Sequence, residues 1–245
     1  MTTHKIGIYQ AARDLFMRVD ELAELCGEVS CVAMRAGGLT GWAKDPVAAG
    51  RSLERILHPA HFRAAGGHVL CMGAGGSGTA IAVYLLARRA SGDHPARIVV
   101  TDRSPERLAR LRGTLARIDH GAEVELAGPE RHEQLLAGLP PHSLVVNATG
   151  MGKDIEGSPL PPEAVFPERA VVWELNYRGE LGFLRQAHAQ SADRQLTVED
   201  GWTYFIHGWG SVIEEVFDRP ISERELELMA AEAEFARPRP EWEAT

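Results

Sequence analysis

A cluster of glycines in the first third of the chain has the spacing of a phosphate-binding turn. Apolar residues 68–72 are predicted to form a buried strand and residues 79–89 a helix, so the glycines join the two. Such a turn lets the backbone approach a pyrophosphate, and the helix presents unpaired N–H groups to it. We therefore expect cofactor contacts from the whole turn, which consists of Gly73, Ala74, Gly75, Gly76, Ser77 and Gly78.

An acidic residue beyond the turn extends this pattern. Asp102 follows a second apolar run, residues 97–101, which suits a carboxylate that binds the ribose of a dinucleotide. The carboxylate also repels a 2′-phosphate and so favours NAD, whereas Arg103 could hold that phosphate and bind NADP. The alternative is a turn that binds nothing, with Asp102 only capping the next helix.

The elements around the turn predict an α/β fold with a doubly wound, mostly parallel sheet. From residue 68 onward, short apolar runs alternate with helical segments and short links. Ligands bind at the carboxyl ends of parallel strands, so the glycine turn, Asp102 and residues 147–149 should face one crevice. We predict a dinucleotide-binding domain over residues 63–205, and a smaller α/β substrate domain over residues 1–62 and 206–245.

The N-terminal part is predicted to contain one long helix and a hairpin. Residues 6–25 carry apolar side chains at helical spacing. Residues 29–35 and 39–43 have the pattern of two strands joined by a glycine turn. Asp45, directly before a proline, has the pattern of a helix N-cap.

Composition and charge exclude several classes of function. The chain has 245 residues, 44% hydrophobic and 24% charged, as is ordinary for a globular protein with a real core. Its net charge of −8 argues against nucleic-acid partners, and no apolar stretch is long enough to span a membrane. Three cysteines without metal-ligand spacing predict free thiols, a cytoplasmic location and no metal site.

The order of several motifs resembles the shikimate dehydrogenase family over nearly all of the chain. The glycine turn is similar to that family's GxGGxG loop. The other matching segments are residues 3–5 (end of the strand with the catalytic lysine), 41–45 (GxNTD), 145–149 (VNAT), 174–177 (acid-x-x-Tyr) and 200–207 (DGxxMLxxQ).

The resemblance implies an NAD(P)-dependent oxidoreductase that transfers a hydride between nicotinamide and a hydroxyl or ketone of a small, cyclic acid. It assigns the general acid/base to Lys5 and the orienting carboxylate to Asp45. It also implies cofactor contacts from Asn147, Thr149 and Gly201, and substrate contacts from Ser30 and Tyr177.

Departures from the family pattern keep a second hypothesis open. Ser30, Ala43 and Gly208 stand where the family has polar substrate ligands. The family's further N-terminal β/α segment has no counterpart before Lys5. We therefore expect a substrate other than shikimate itself, and the alternative is a non-catalytic dinucleotide-binding module. A substrate domain without that segment also predicts a homo-oligomer, most simply a dimer, that covers its open sheet edge.

Overall fold

The structure, a computed structural model, describes residues 4–35, 37–153, 155–240 and 242. Its N-terminal part consists of helix α1 (Lys5–Ala12), strand β1 (Phe16–Val19), helix α2 (Glu21–Cys26) and strands β2 (Cys31–Arg35) and β3 (Gly38–Trp42). These strands form a small sheet in the order β1-β3-β2. Strand β1 is parallel to β3 and β2 is antiparallel to it, which confirms the predicted hairpin.

The single helix predicted over residues 6–25 is wrong. A 3-10 turn (Arg13–Leu15) and strand β1 interrupt it. Phe16 pairs with Leu39 of β3 and packs in a small core with Ala23. The helical spacing of apolar residues reflects two short helices that face this core. Pairing with a strand later in the chain decides the conformation of β1, because strand formation depends on such non-local contacts.

Six strands form the larger sheet, and all neighbours in it are parallel. They are β4 (Val69–Met72), β5 (Arg97–Thr101), β6 (Glu123–Ala127), β7 (Leu144–Asn147), β8 (Val171–Glu174) and β9 (Thr197–Glu199). Their order is β6-β5-β4-β7-β8-β9. This is the order of a doubly wound dinucleotide-binding sheet, which reverses between β4 and β7. The predicted α/β fold class is confirmed.

Helices cover both faces of the larger sheet. They are α3 (Asp45–Ile56), α4 (His61–Ala65), α5 (Gly76–Ala87), α6 (Pro105–Leu115), α7 (His132–Ala137), α8 (Gly182–Arg194) and α9 (Trp202–Phe217). A further helix, α10 (Glu223–Ala233), packs against α9. In β4, Val69 and Cys71 enter the core beneath α3, α5 and α6, whereas Leu70 and Met72 enter the core beneath α7 and α8. All four are fully buried, as a parallel strand covered on both faces requires.

Helix α3 links the small sheet to the larger one. It follows β3 and packs against α5 and α9. The helix begins at Asp45 itself and Lys44 occupies the N-cap, so the prediction of Asp45 as N-cap is off by one position. Asp45 is buried at this start of the helix. Among the residues that the structure describes, no helix has the length and apolar character to cross a membrane.

Candidate functional site

The glycine turn lies where the strand order reverses, between the ends of β4 and β7. Gly73 has a φ of +112°, and a Cβ there would lie 2.5 Å from the carbonyl oxygen of Ala148, so only glycine fits. Its N–H donates to the carbonyl of Thr101 across 2.7 Å. Helix α5 begins at Gly76, and no described side chain caps its first N–H groups. Those groups are available to an anionic ligand.

Asp102 fixes the glycine turn and lines the cavity beside it. Its Oδ2 accepts a hydrogen bond from the backbone N–H of Ala74 (2.8 Å), and its Oδ1 accepts one from that of Ser104 (2.9 Å). The cavity measures about 180 Å³, and Arg103 and Arg107 line it together with Asp102. It therefore offers both an acceptor for hydroxyl groups and cations for a phosphate.

Asn147 and Glu174 join the ends of β7 and β8 from the inside. Asn147 donates from Nδ2 to Glu174 Oε2 (2.7 Å), and its Oδ1 accepts from the Thr149 hydroxyl (2.6 Å). Glu174 Oε1 also accepts from the N–H of Asn176 (2.8 Å). Burial raises the pKa of Glu174 to about 8, against the lowering effect of these hydrogen bonds. Asn147 is fully buried, so its side chain positions Thr149, which lines the cavity beside Asp102.

Gly201 and Tyr177 lie together next to the first turn of α9. The N–H of Gly201 donates to the carbonyl of Asn176 (3.1 Å), and a Cβ at Gly201 would lie 2.0 Å from the carbonyl oxygen of Leu175. The Tyr177 ring is half-buried, and its centroid lies 4.6 Å from that of Phe205. Close packing therefore accounts for the glycine, and the aromatic contact holds Tyr177.

Lys5 and Asp45 form an ion pair between α1 and the first residue of α3. The Nζ atom of Lys5 donates to Oδ2 of Asp45. The side chains are 23% and 10% exposed, so the pair is largely shielded from solvent. Lys5 also lines a cavity of about 350 Å³ together with Gly75, Gly76 and Ser77. The Lys5 amine, which Asp45 orients, therefore lines the same cavity as the glycine turn.

Ser30 and Lys44 are engaged within the small sheet and against α9. The Ser30 hydroxyl accepts from the N–H of Lys44 (2.7 Å) and donates to the carbonyl of Trp42 (3.4 Å). Lys44 Nζ pairs with Glu215 Oε2 across 2.5 Å. The structure does not place Ser30 among the residues that line the cavity of Lys5. Lys44 is held by α9 and does not substitute for Lys5 there.

Sequence reasoning missed three charged groups at this site. Arg107 lines both cavities and so connects the one beside Asp102 with the one beside Lys5. Arg110 donates from Nη2 to the carbonyl of Ala74 (3.4 Å). Glu28 is fully buried against the glycine turn. Arg107 and Arg110 are three residues apart in α6, the helix that follows β5. This helical spacing is a signal in the sequence that could have identified them. No sequence pattern indicates the burial of Glu28.

Comparisons with known proteins find shikimate dehydrogenases by sequence and by fold. A shikimate dehydrogenase (NADP(+)) from Symbiobacterium thermophilum is 30% identical over 200 residues, which make up 80% of this chain and 63% of that protein. A solved shikimate dehydrogenase in complex with NADP+ matches with a TM-score of 0.70 at 19% identity, over 98% of this chain and 76% of that one. A shikimate 5-dehydrogenase from Thermus thermophilus in complex with NADP(H) and shikimate matches with a TM-score of 0.67 at 26% identity, over 92% and 76%.

The matched region covers only part of each curated relative. No family model matches the chain. The chain spans less than two thirds of the length of the curated relatives that it matches, 63% of one and 58% of another. Within that extent, sequence and fold agree with the resemblance that the order of motifs predicts. The chain is therefore similar in sequence to the shikimate dehydrogenases and shares their fold.

Proposed function

We propose that the chain is an NAD(P)-dependent oxidoreductase that interconverts a hydroxyl and a ketone on a small, shikimate-like cyclic acid. The observation that carries this proposal is the shared cavity, in which Lys5, paired with Asp45, lies beside Gly75 and Gly76 of the glycine turn. Hydride transfer to or from an alcohol requires a proton carrier next to a bound dinucleotide, and this arrangement supplies one. The names of the relatives support the substrate class.

The residues at the turn fit a dinucleotide. The first turn of α5 has no side-chain cap among the described residues, and its N–H groups with Arg107 would hold a pyrophosphate. Because Arg107 lines both cavities, we assign the adenosine end to the cavity of Asp102 and the nicotinamide end to that of Lys5. When bound, the nicotinamide supplies the acceptor or donor of the hydride.

Lys5 carries the proton in this proposal. In the oxidation direction the substrate carbon loses a hydride, its O–H bond breaks, and the proton passes to the neutral amine of Lys5 as the C=O bond forms. In the reduction direction the ammonium of Lys5 returns the proton to the developing alkoxide. Asp45 acts by orienting the amine through the ion pair, which is largely shielded from solvent.

The choice between NAD and NADP depends on one carboxylate and two arginines. Asp102 favours NAD because its charge opposes a 2′-phosphate. However, backbone N–H groups engage both its oxygens, and Arg107 lies 3.7 Å from Oδ2, which reduces that repulsion. The exposed Arg103 lines the same cavity and could contact the phosphate. Because the Asp102 carboxylate itself lines this cavity, we propose NAD as the cofactor. NADP, which is printed in the relatives' names, is the alternative.

A second candidate function is dinucleotide binding without turnover. The resemblance to the shikimate dehydrogenase family implies polar substrate ligands at positions 30 and 43. Here the Ser30 hydroxyl is engaged by Lys44, and Ala43 is a fully buried apolar residue. These two positions therefore offer no polar group to the cavity of Lys5, which supports a protein that holds a dinucleotide as a sensor or partner domain.

Turnover measurements with NAD and NADP on shikimate and related cyclic hydroxy acids separate the two candidates. We expect reduced cofactor to appear with at least one acid. Lys5→Met should lower kcat by about 10²-fold or more while cofactor affinity stays within about threefold. Lys44→Met is the matched control and should change kcat by less than about threefold. Cofactor binding without turnover on any acid would support the binding module. An equal loss of kcat in Lys5→Met and Lys44→Met would contradict the role of Lys5.

We also propose a homo-oligomer, most simply a dimer, and a cytoplasmic location. Met17 of β1 is 61% exposed, and Leu15, directly before β1, is 69% exposed; β1 is an edge strand of the small sheet. A second copy of the chain would cover this edge. A monomer in sedimentation velocity at micromolar concentration would contradict the dimer.

Three buried free cysteines support the cytoplasmic location, because disulfides are rare in that reducing compartment. The net charge of −8 supports a protein without nucleic-acid partners.

A further inference from the structure

One acid at the site has no role in the proposed reaction. Glu28 lies between α2 and β2 and is fully buried. Neither of its side-chain oxygens has a hydrogen-bond partner among the described residues. A buried carboxyl without a donor is rare, because its ionised form loses hydration and gains nothing in return. This side chain therefore calls for an explanation beyond packing.

Glu28 is aimed at the start of helix α5. A Cβ built on Gly76 would lie 2.8 Å from Oε2 of Glu28 and 3.7 Å from Cδ of Lys5. The acid therefore lies directly behind the first residue of the helix whose N–H groups face the proposed pyrophosphate site. Gly76 has no side chain that could separate the carboxyl from the turn.

The charge of Glu28 depends on its neighbours. The charged or titratable groups within electrostatic reach are Lys5 of α1, Cys26 of α2, Asp45 of α3, Arg110 of α6 and Tyr204 of α9. Burial first, and then the Asp45 charge, raise the pKa of Glu28 to about 8, against the opposing effects of Lys5 and Arg110. Near neutral pH the carboxyl therefore holds its proton.

We infer that binding of the dinucleotide at the glycine turn is coupled to protonation of Glu28. A helix N-terminus carries about half a positive charge, so it stabilises one anion well and two poorly. Ionised Glu28 behind Gly76 competes with the pyrophosphate for that charge. Neutral Glu28 does not compete, so the positive charge at the helix N-terminus remains available to the pyrophosphate. This inference rests on the proposed function, because it concerns the same dinucleotide site.

The coupling has a definite sign. Because the bound pyrophosphate disfavours ionised Glu28, binding takes up protons wherever free Glu28 is partly ionised. Affinity is constant below the pKa of Glu28 and falls above it. If only the protonated form binds, affinity is about tenfold weaker at pH 9 than at pH 7, and about half a proton is taken up at pH 8.

Calorimetric titration tests the inference, with whichever of NAD and NADP binds more tightly at pH 7. Wild-type protein is titrated at pH 7, 8 and 9 in two buffers of different ionisation enthalpy. Glu28→Gln mimics the protonated acid and should bind with an affinity that changes less than about twofold over this range. Glu54→Gln is the matched control, since Glu54 is an exposed acid of α3, and it should behave like wild type. The carboxyl ¹³C titration of Glu28 is a second measurement, and its midpoint should rise when the dinucleotide is added.

Two results would overturn the inference while leaving the proposed function intact. One is binding by wild type with no dependence on pH between 7 and 9. The other is the same pH dependence in Glu28→Gln as in wild type, which would assign the titration to a group other than Glu28. Absence of binding by wild type and Glu28→Gln at every pH would overturn the proposed function, and this inference with it.

Discussion

Replacement of Gly78 by alanine should damage both the fold and dinucleotide binding. Gly78 is the third residue of α5, and a Cβ there would lie 1.9 Å from the carbonyl oxygen of Gly73 and 2.9 Å from its carbonyl carbon. The first distance is about 1.5 Å shorter than ordinary contact. Both partners are backbone, so no side-chain rotation can relieve the overlap. Either the helix or the turn must move.

The expected magnitude follows from this rigidity. Overpacking in a close-packed interior costs about 1–3 kcal/mol, and a backbone-to-methyl overlap belongs at the upper end of that range. We therefore expect Gly78→Ala to lower the free energy of unfolding by about 3 kcal/mol. Movement of the turn by about 1 Å also misplaces the N–H groups offered to the pyrophosphate, and we expect about 100-fold weaker dinucleotide binding.

Gly75→Ala is the matched control within the same turn. No described heavy atom lies within 4 Å of a Cβ at this position, and its φ of −74° is accessible to alanine. Its unfolding free energy should stay within about 0.5 kcal/mol of wild type. Dinucleotide affinity should still fall about tenfold, because the methyl group enters the space through which the backbone approaches the phosphates. Urea unfolding and calorimetric titration measure the two effects separately. Wild-type stability in Gly78→Ala, or equal destabilisation in both variants, would refute this reasoning.

Two further predictions concern charged groups. Because Glu174 has a folded-state pKa of about 8 against 4.5 for the free side chain, its ionisation lowers stability as pH rises between these values, by up to about 1.4 kcal/mol per pH unit. Glu174→Gln should therefore reduce the slope of unfolding free energy against pH between pH 5 and 8, measured by urea unfolding, and an unchanged slope would contradict the assignment. Arg103→Ala should lower affinity for NADP about tenfold relative to NAD, as measured by calorimetry. An unchanged ratio would assign phosphate discrimination to Arg107.

The larger sheet could be predicted from the sequence because its signals are local. A strand buried on both faces is a short apolar run, and β4 (Val69–Met72) lies within the run recognised at residues 68–72. The glycine turn has to follow directly, because Gly73 needs a positive φ and Gly78 a close backbone approach. Regular alternation of such strands with helices then specifies the doubly wound order.

The small sheet and the charge network could be predicted only in part, because they depend on distant contacts. Strand β1 exists through its pairing with β3, and local apolar spacing favoured a helix instead. The Lys5–Asp45 pair joins α1 to α3, and only the resemblance to a family brought the two residues together. Glu28 is a single acid between Gly27 and Val29, and no local pattern indicates that it lies against the glycine turn.

Calorimetric titration of the wild-type protein at pH 7 with NAD, and separately with NADP, tests most directly whether the glycine turn holds a nicotinamide dinucleotide. We predict saturable binding at one site per chain by at least one of the two cofactors, and about 100-fold weaker binding in Gly78→Ala. Absence of saturable binding by both cofactors would contradict the dinucleotide site between Gly73 and Gly78, and with it the proposed hydride transfer beside Lys5.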